Sequence, residues 1–165
     1  MSGDTKQMSG GCQCGAIRYR VEGEPLYPHL CHCRMCQKAS GNFFMSLFAA
    51  ERKNFSWTRG EPSWFHSSTP VRRGFCENCG TPLAFDTVGA DSIAIAHGSL
   101  DDVSAVVPIE QSGVEGRVSF FNDLGHLPES VSDRSDLPGG IDDVSSSNRQ
   151  HPDHDTDNWP ETTNE

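Results

Sequence analysis

Along "GAIRYRVEGE", Ile17, Tyr19 and Val21 alternate with Arg18, Arg20 and Glu22, a period of two that predicts a strand with one buried face. "NFFMSLFAAE", "FSWTRG" and "PSWFHS" follow as short aromatic-rich runs punctuated by Gly, Pro and Asn, and "TPLAFDT", "SIAIAHGSL" and "GRVSFFND" continue the series. Phe43, Phe44, Phe48, Trp57 and Trp64 in these runs are expected in the core or in a pocket wall. The one convincing helical turn is "CRMCQKAS", which runs directly out of a cysteine cluster. Closely spaced short strands with Gly and Pro between them predict a mainly β fold. No module repeats, and no Gly-rich phosphate loop or Ser/His/Asp arrangement stands out.

The pattern stops near residue 128. From Pro128 onward the chain holds ten Asp/Glu against two Lys/Arg, so −8 of the formal −10 net charge belongs to this segment and −2 to residues 1–127. The segment is rich in Ser, Asp, Pro and Gly and has too little apolar surface to offset the entropy of ordering it. It is therefore expected to be a disordered acidic tail. Three regions result: a flexible lead at 1–9, a folded domain at 10–127 and the tail at 128–165. The expected disorder argues against a metal site at His151 and His154.

A body of this size buries a modest core, and small cores often recruit metals or disulfides. No apolar stretch approaches the roughly 20 residues that cross a membrane, and "MSGDTKQMSGG" has no apolar signal region. These features predict a cytoplasmic, reducing setting, in which clustered cysteines bind metal rather than pair with one another. The odd total of seven cysteines agrees. The body lacks the basic surface of a nucleic-acid binder, and no membrane partner is expected.

The cysteines stand in three groups: Cys12 and Cys14; Cys31, Cys33 and Cys36; Cys76 and Cys79, the last followed by Gly80. Soft thiolates and a tetrahedral requirement favour zinc, and two ions per chain are expected. Cys12, Cys14, Cys76 and Cys79 make a closed structural set that would tie the first strand to the region of Leu83 and Phe85. Gly80 supplies the backbone freedom that the turn after a C-x-x-C needs. Cys31, Cys33 and Cys36 are then three ligands, the number a catalytic zinc takes when water or substrate completes its shell. Two other arrangements remain open: closure of the second site by His32 or His97, and one four-cysteine site with spare thiols. His97, at the end of an alternating apolar run, is expected to be packed or hydrogen-bonded.

"GGCQCGAIRY", "CHCRMCQKASG" and "RGFCENCGTPLAF", with the later "AHGSLDD", resemble the glutathione-dependent formaldehyde-activating family, whose domain is shared with centromere protein V. The resemblance covers about residues 10–128 and includes all seven cysteines. It implies an Mss4-like fold of several small twisted sheets around zinc. It also implies structural zinc at Cys12, Cys14, Cys76 and Cys79 and a catalytic zinc at Cys31, Cys33 and Cys36. The implied activity is that of a carbon–sulfur lyase, an S-(hydroxymethyl)glutathione synthase adding a small-molecule thiol such as glutathione to formaldehyde. The alternative is a non-enzymatic, zinc-stabilised interaction module.

Glutathione is anionic, and Arg34, Lys38, Arg72 and Arg73 lie close enough in sequence to the cysteines to meet its carboxylates. Many relatives carry a histidine after the proline of the segment here written "PIEQSGVEGRVSFF", and a tryptophan later. Gln111 and Phe120 or Phe121 stand roughly at those places.

Overall fold

A computed structural model describes residues 6–159, so the outermost parts of the lead and tail lie outside the described residues. The fold is mainly β. In chain order its elements are β1 (Gln7–Gly11), β2 (Arg18–Glu22), β3 (Leu26–Cys31), α1 (Arg34–Ser40), β4 (Met45–Glu51), β5 (Phe55–Arg59), β6 (Ser63–His66), β7 (Val71–Phe75), β8 (Pro82–Thr87), β9 (Ser92–Ala96), β10 (Glu110–Ser112) and α2 (Gly140–Ser146). Two sheets hold the strands. One has the order β1-β2-β5, and the longer runs β10-β3-β4-β9-β8-β7-β6. Only the β10–β3 pair is parallel.

Strand alternation builds a separate core on each face of the long sheet. Phe48 and Ala50 of β4 join Ile93 and Ile95 of β9 and Leu83 of β8 in the larger core, against Met8, Tyr19 and Val21 of the small sheet. Met45 and Leu47 of β4 and Ala96 of β9 point the other way and pack with Cys36 of α1. Cys12 and Cys76 belong to the first core, whereas Cys31 and Cys33 pack against the second. The two cysteine groups therefore lie on opposite faces of one sheet.

Several expectations change. The lead is not loose over its described part, because Gln7–Gly11 pairs with β2 along its whole length. Arg18, placed by alternation on the outer face of β2, is buried and makes a bidentate pair with Asp101, with Nη1 donating to Oδ1 at 2.7 Å. "GRVSFFND" is not a strand; its end is the 3-10 segment Phe121–His126.

The described part of the tail also differs from a free chain. It carries α2, and its later residues lie on the body. His151 is buried, its N–H donates to the Gln13 carbonyl at 2.7 Å, and Asp155 takes Arg18 Nη2 at 2.8 Å and Arg20 Nη2 at 3.0 Å. The Trp159 indole N–H donates to the Cys14 carbonyl. This contact uses the absence of a side chain at Gly15, where a Cβ would come within 2.1 Å of Trp159 Cδ1. Cationic partners in the body and an aromatic anchor, which net composition does not register, account for the docking.

Candidate metal centres

Cys12 and Cys14 follow β1 in a tight loop closed by Cys12 N–H to Ile17 O and Gly15 N–H to Cys12 O, each 3.0 Å. Cys76 follows β7, and its carbonyl accepts the Gly80 N–H at 2.8 Å, with Gly80 at φ +79° as the turn requires. The four sulfurs lie within 4.8 Å of one another, with Cys12–Cys14 at 3.6 Å and Cys14–Cys76 at 3.7 Å. A tetrahedral zinc with bonds of about 2.3 Å has sulfur–sulfur edges of about 3.8 Å, so the donor set fits that ion.

Neutral donors shape this group. Ile17 N–H donates to Cys12 Sγ at 3.3 Å, and the Thr81 hydroxyl stands 3.2 Å from Cys79 Sγ. Burial pushes the Cys12 thiol up to about 12. For Cys79 burial also acts upward, but the Thr81 hydroxyl and N–H and the Cys14 N–H outweigh it and bring the thiol to about 6. Metal capture at neutral pH therefore releases protons from the group.

The second centre is assembled at the end of β3. Cys31 pairs with Met45 of β4 on one side and Ser112 of β10 on the other. Cys33 is the N-cap of α1, its sulfur accepting the Cys36 N–H at 3.4 Å, and Gly41 ends the helix at φ +65°. Cys36 comes from the first turn. The three sulfurs lie within 4.8 Å of one another, and Cys31 and Cys33 are 3.5 Å apart, again the spacing of a tetrahedral zinc edge. Burial pushes the Cys36 thiol up to about 12. At Cys33 burial opposes ionisation too, yet the Cys36 N–H, Cys31 and the Met35 N–H bring the thiol below its ordinary range.

No fourth Cys, His, Asp or Glu ligand atom joins these three among the described residues. Both histidines considered for that place are engaged elsewhere. His97 donates from Nε2 to the Val103 carbonyl at 2.8 Å, leaving Nδ1 to accept the Ser46 hydroxyl at 2.8 Å. His32, just past the end of β3, turns to β10, with Nε2 3.0 Å from Gln111 Oε1, an oxygen that also accepts Arg117 Nη1 at 3.3 Å. Its ring packs edge-on against Phe121 at 4.7 Å, and Nδ1 is buried without a hydrogen-bond partner among the described residues. Gln111 and Phe121 thus meet on one residue, whereas Phe120 packs edge-on against Phe43 at 5.0 Å.

Sequence reasoning did not find the residues that hold this centre in place. Gly113, at φ +62°, and Gly116 let the loop after β10 lie on the backbone of His32 and Cys33; a Cβ on Gly113 would stand 2.8 Å from Cys33 N. Gln37 ties that loop to α1 by donating to His32 O at 3.0 Å and Gly116 O at 2.8 Å. The paired glycines were the only available signal.

The four candidate cations separate. Arg72 is held by Asp86 at 2.8 Å and lies over the Trp64 ring. Arg73 turns inward to Cys36 and Met45. Arg34 and Lys38 line a groove of about 390 Å³ along α1, with Met35, Ala39, Phe65 and Arg73.

A family model described as glutathione-dependent formaldehyde-activating enzyme matches residues 7–115. An uncharacterised lyase of Schizosaccharomyces pombe is 30% identical over 79 residues, covering 48% of this chain and 57% of that protein. A Halomonas elongata protein bearing the name of a glutathione-dependent formaldehyde-activating enzyme is 27% identical over 84 residues, covering 46% and 54%. The chain thus spans little more than half the length of these curated relatives. A crystal structure of a Rhodobacter sphaeroides protein superposes with a TM-score of 0.52 at 18% identity, covering 64% of this chain and all of that one, which speaks for the fold alone. The matched span takes in both cysteine groups and the sheet between them, and the chain belongs to the glutathione-dependent formaldehyde-activating family.

Proposed function

We propose that this chain is a zinc-dependent carbon–sulfur lyase or synthase that joins a small thiol, glutathione in the first instance, to formaldehyde. The observation that carries the reading is the three-sulfur group at Cys31, Cys33 and Cys36, which no fourth ligand atom joins among the described residues. On this reading Cys12, Cys14, Cys76 and Cys79 hold a structural zinc, and Cys31, Cys33 and Cys36 hold the catalytic one. The domain spans 10–127, and the protein acts in the cytoplasm.

A zinc held by Cys31, Cys33 and Cys36 would supply Lewis acidity that favours the thiolate form of a thiol near neutral pH. The residues of the chain then do three things. Cys31 and Cys33 fix two ligand directions from a strand end and a helix cap, so the thiol arrives at a defined place. The buried Cys36 keeps one side dry. Arg34 and Lys38 face the groove and meet the carboxylates of an anionic thiol. In the addition, the thiol gives up its S–H proton, its sulfur forms a bond to the aldehyde carbon, the C=O π pair moves to oxygen, and the released proton, carried by solvent, neutralises that oxygen; the reverse reaction is lyase cleavage.

Exchange NMR on labelled formaldehyde and glutathione, with and without zinc-loaded protein, tests this. The uncatalysed addition proceeds unaided, so the exchange rate decides. Acceleration that disappears in Cys33→Ala supports the reading, and no acceleration with both zinc ions present overturns it.

A further inference from the structure

Arg73 is a buried cation without a carboxylate. It is 8% exposed, and none of the ion pairs among the described residues includes it, although its neighbour Arg72 and also Arg52 hold Asp86. Its guanidinium instead faces sulfur, with Nη2 3.6 Å from Cys36 Sγ and Nη1 3.8 Å from Met45 Sδ. Its carbon centre lies 5.0 Å from the Phe85 ring centroid. Burying a guanidinium without a counter-charge costs several kcal/mol, so the site must supply negative charge. Met45 and Phe85 are neutral. Among the described residues, the only group in contact with Arg73 that can carry a full negative charge is the sulfur cluster through Cys36.

We infer that Arg73 is the charge-balancing residue of the three-cysteine centre. Three thiolates on a divalent ion leave a net charge of −1, and the guanidinium beside Cys36 brings the buried assembly to zero. With a fourth, substrate thiolate the assembly carries −1 rather than −2, which makes an anionic ligand acceptable in a site of low dielectric. Hydrogen bonding from a cation also withdraws electron density from the Cys36 sulfur and preserves acidity at the metal that three thiolates would otherwise reduce. The four-cysteine centre has no counterpart. Among the described residues its sulfurs receive hydrogen bonds from Ile17 N–H and lie beside Thr81 Oγ, and no Lys or Arg hydrogen-bonds to them. The cation thus distinguishes the two centres.

This rests on the three-cysteine group holding a divalent metal, and not on the thiol–aldehyde reaction. The test is zinc affinity of the full chain by competition with a chromophoric chelator, resolved into two binding events. Arg73→Met is expected to weaken the weaker event roughly tenfold or more and leave the other unchanged, while Arg73→Lys restores most of the loss. The decisive comparison is made in a Cys31→His background, where a neutral imidazole replaces one thiolate and Arg73→Met should cost little or nothing. An equal loss in both backgrounds means that Arg73 is only a packing residue and overturns the proposal. If Arg73→Met alone is insoluble, Arg73→Met/Cys31→His should fold because its charges again balance, and a double variant that stays insoluble also overturns it. A wild-type chain that binds only one zinc defeats the metal reading of the second site itself, an outcome distinct from failure of the exchange reaction.

Discussion

Cys33 Sγ accepts the Cys36 backbone N–H at 3.4 Å, so one sulfur both starts helix α1 and belongs to the three-sulfur group. Cys79, in contrast, sits in a turn whose neighbours Cys12 and Cys76 are part of the main core. Replacement at the two positions should therefore have unequal effects. Cys33→Ala loses a helix cap worth about 1 kcal/mol and one metal ion. Its thermal midpoint should fall by only a few degrees, with one of two zinc ions absent by metal analysis. On the proposed reading Cys79→Ala would lose the zinc that joins β1 to β7, and the cooperative melt should be lost. Equal unfolding of the two variants would contradict this division of labour.

The three cysteine groups were legible because spacing within each is a local signal, and ligand count suggested joining Cys12 and Cys14 to Cys76 and Cys79, a pairing across more than sixty residues that the fold brings about. α1 was equally legible, since its cap, its turn and Gly41 are contiguous. What escaped was non-local. "QMSGG" shows no apolar alternation, yet it pairs fully with β2. "VRRGF" offers Arg72 and Arg73 as cations for a substrate carboxylate, but they find Asp86 and Cys36 on elements that only the fold brings near. Likewise, the docking of His151, Asp155 and Trp159 depends on Gly15, Arg18 and Arg20, more than a hundred residues away in sequence.

Asp86 is the buried counter-charge of Arg52 and Arg72, at 2.6 and 2.8 Å. Burial acts to raise its carboxyl, but the two guanidinium groups outweigh this and hold it below the ordinary carboxylate range. Asp86→Asn leaves both arginines unpaired, at a cost of about 2 kcal/mol, less than for a fully buried pair because both arginines are partly exposed. Because the folded-state value is depressed, the contribution is complete above the unfolded value of about 4 and disappears as pH falls through the folded one. Urea melts should show a constant gap between wild type and variant from pH 7 to about 5 that closes at lower pH. A gap that persists unchanged in acid would exclude the ion pairs as its source.

Asp155 anchors the tail through Arg18 and Arg20, while Arg18 keeps its separate bidentate pair with Asp101. Asp155→Asn should therefore release the tail and spare the body. The expected change in global stability is small, about 0.5 kcal/mol, as for partly exposed pairs. Amide exchange should accelerate at His151, whose N–H is bonded to Gln13 O, with β2 unaffected. Acceleration spreading through β2 would show instead that Asp155 supports the sheet.

Gly113 adopts φ +62° with Cys33 N where a Cβ would stand 2.8 Å away, so Gly113→Ala meets both an unfavourable backbone region and a backbone clash. Neither can be relieved by rotating a side chain. The loop must move off Cys33, which also pulls Gly116 O from Gln37 Nε2, now at 2.8 Å. The expected cost is about 1–3 kcal/mol, concentrated at the three-cysteine end of the fold. With cobalt in place of zinc, the sulfur-to-metal absorption of the four-cysteine centre should be unchanged, while that of the three-cysteine centre should weaken and shift. A variant with both bands unaltered would mean that the 113–116 loop covers Cys33 without fixing it.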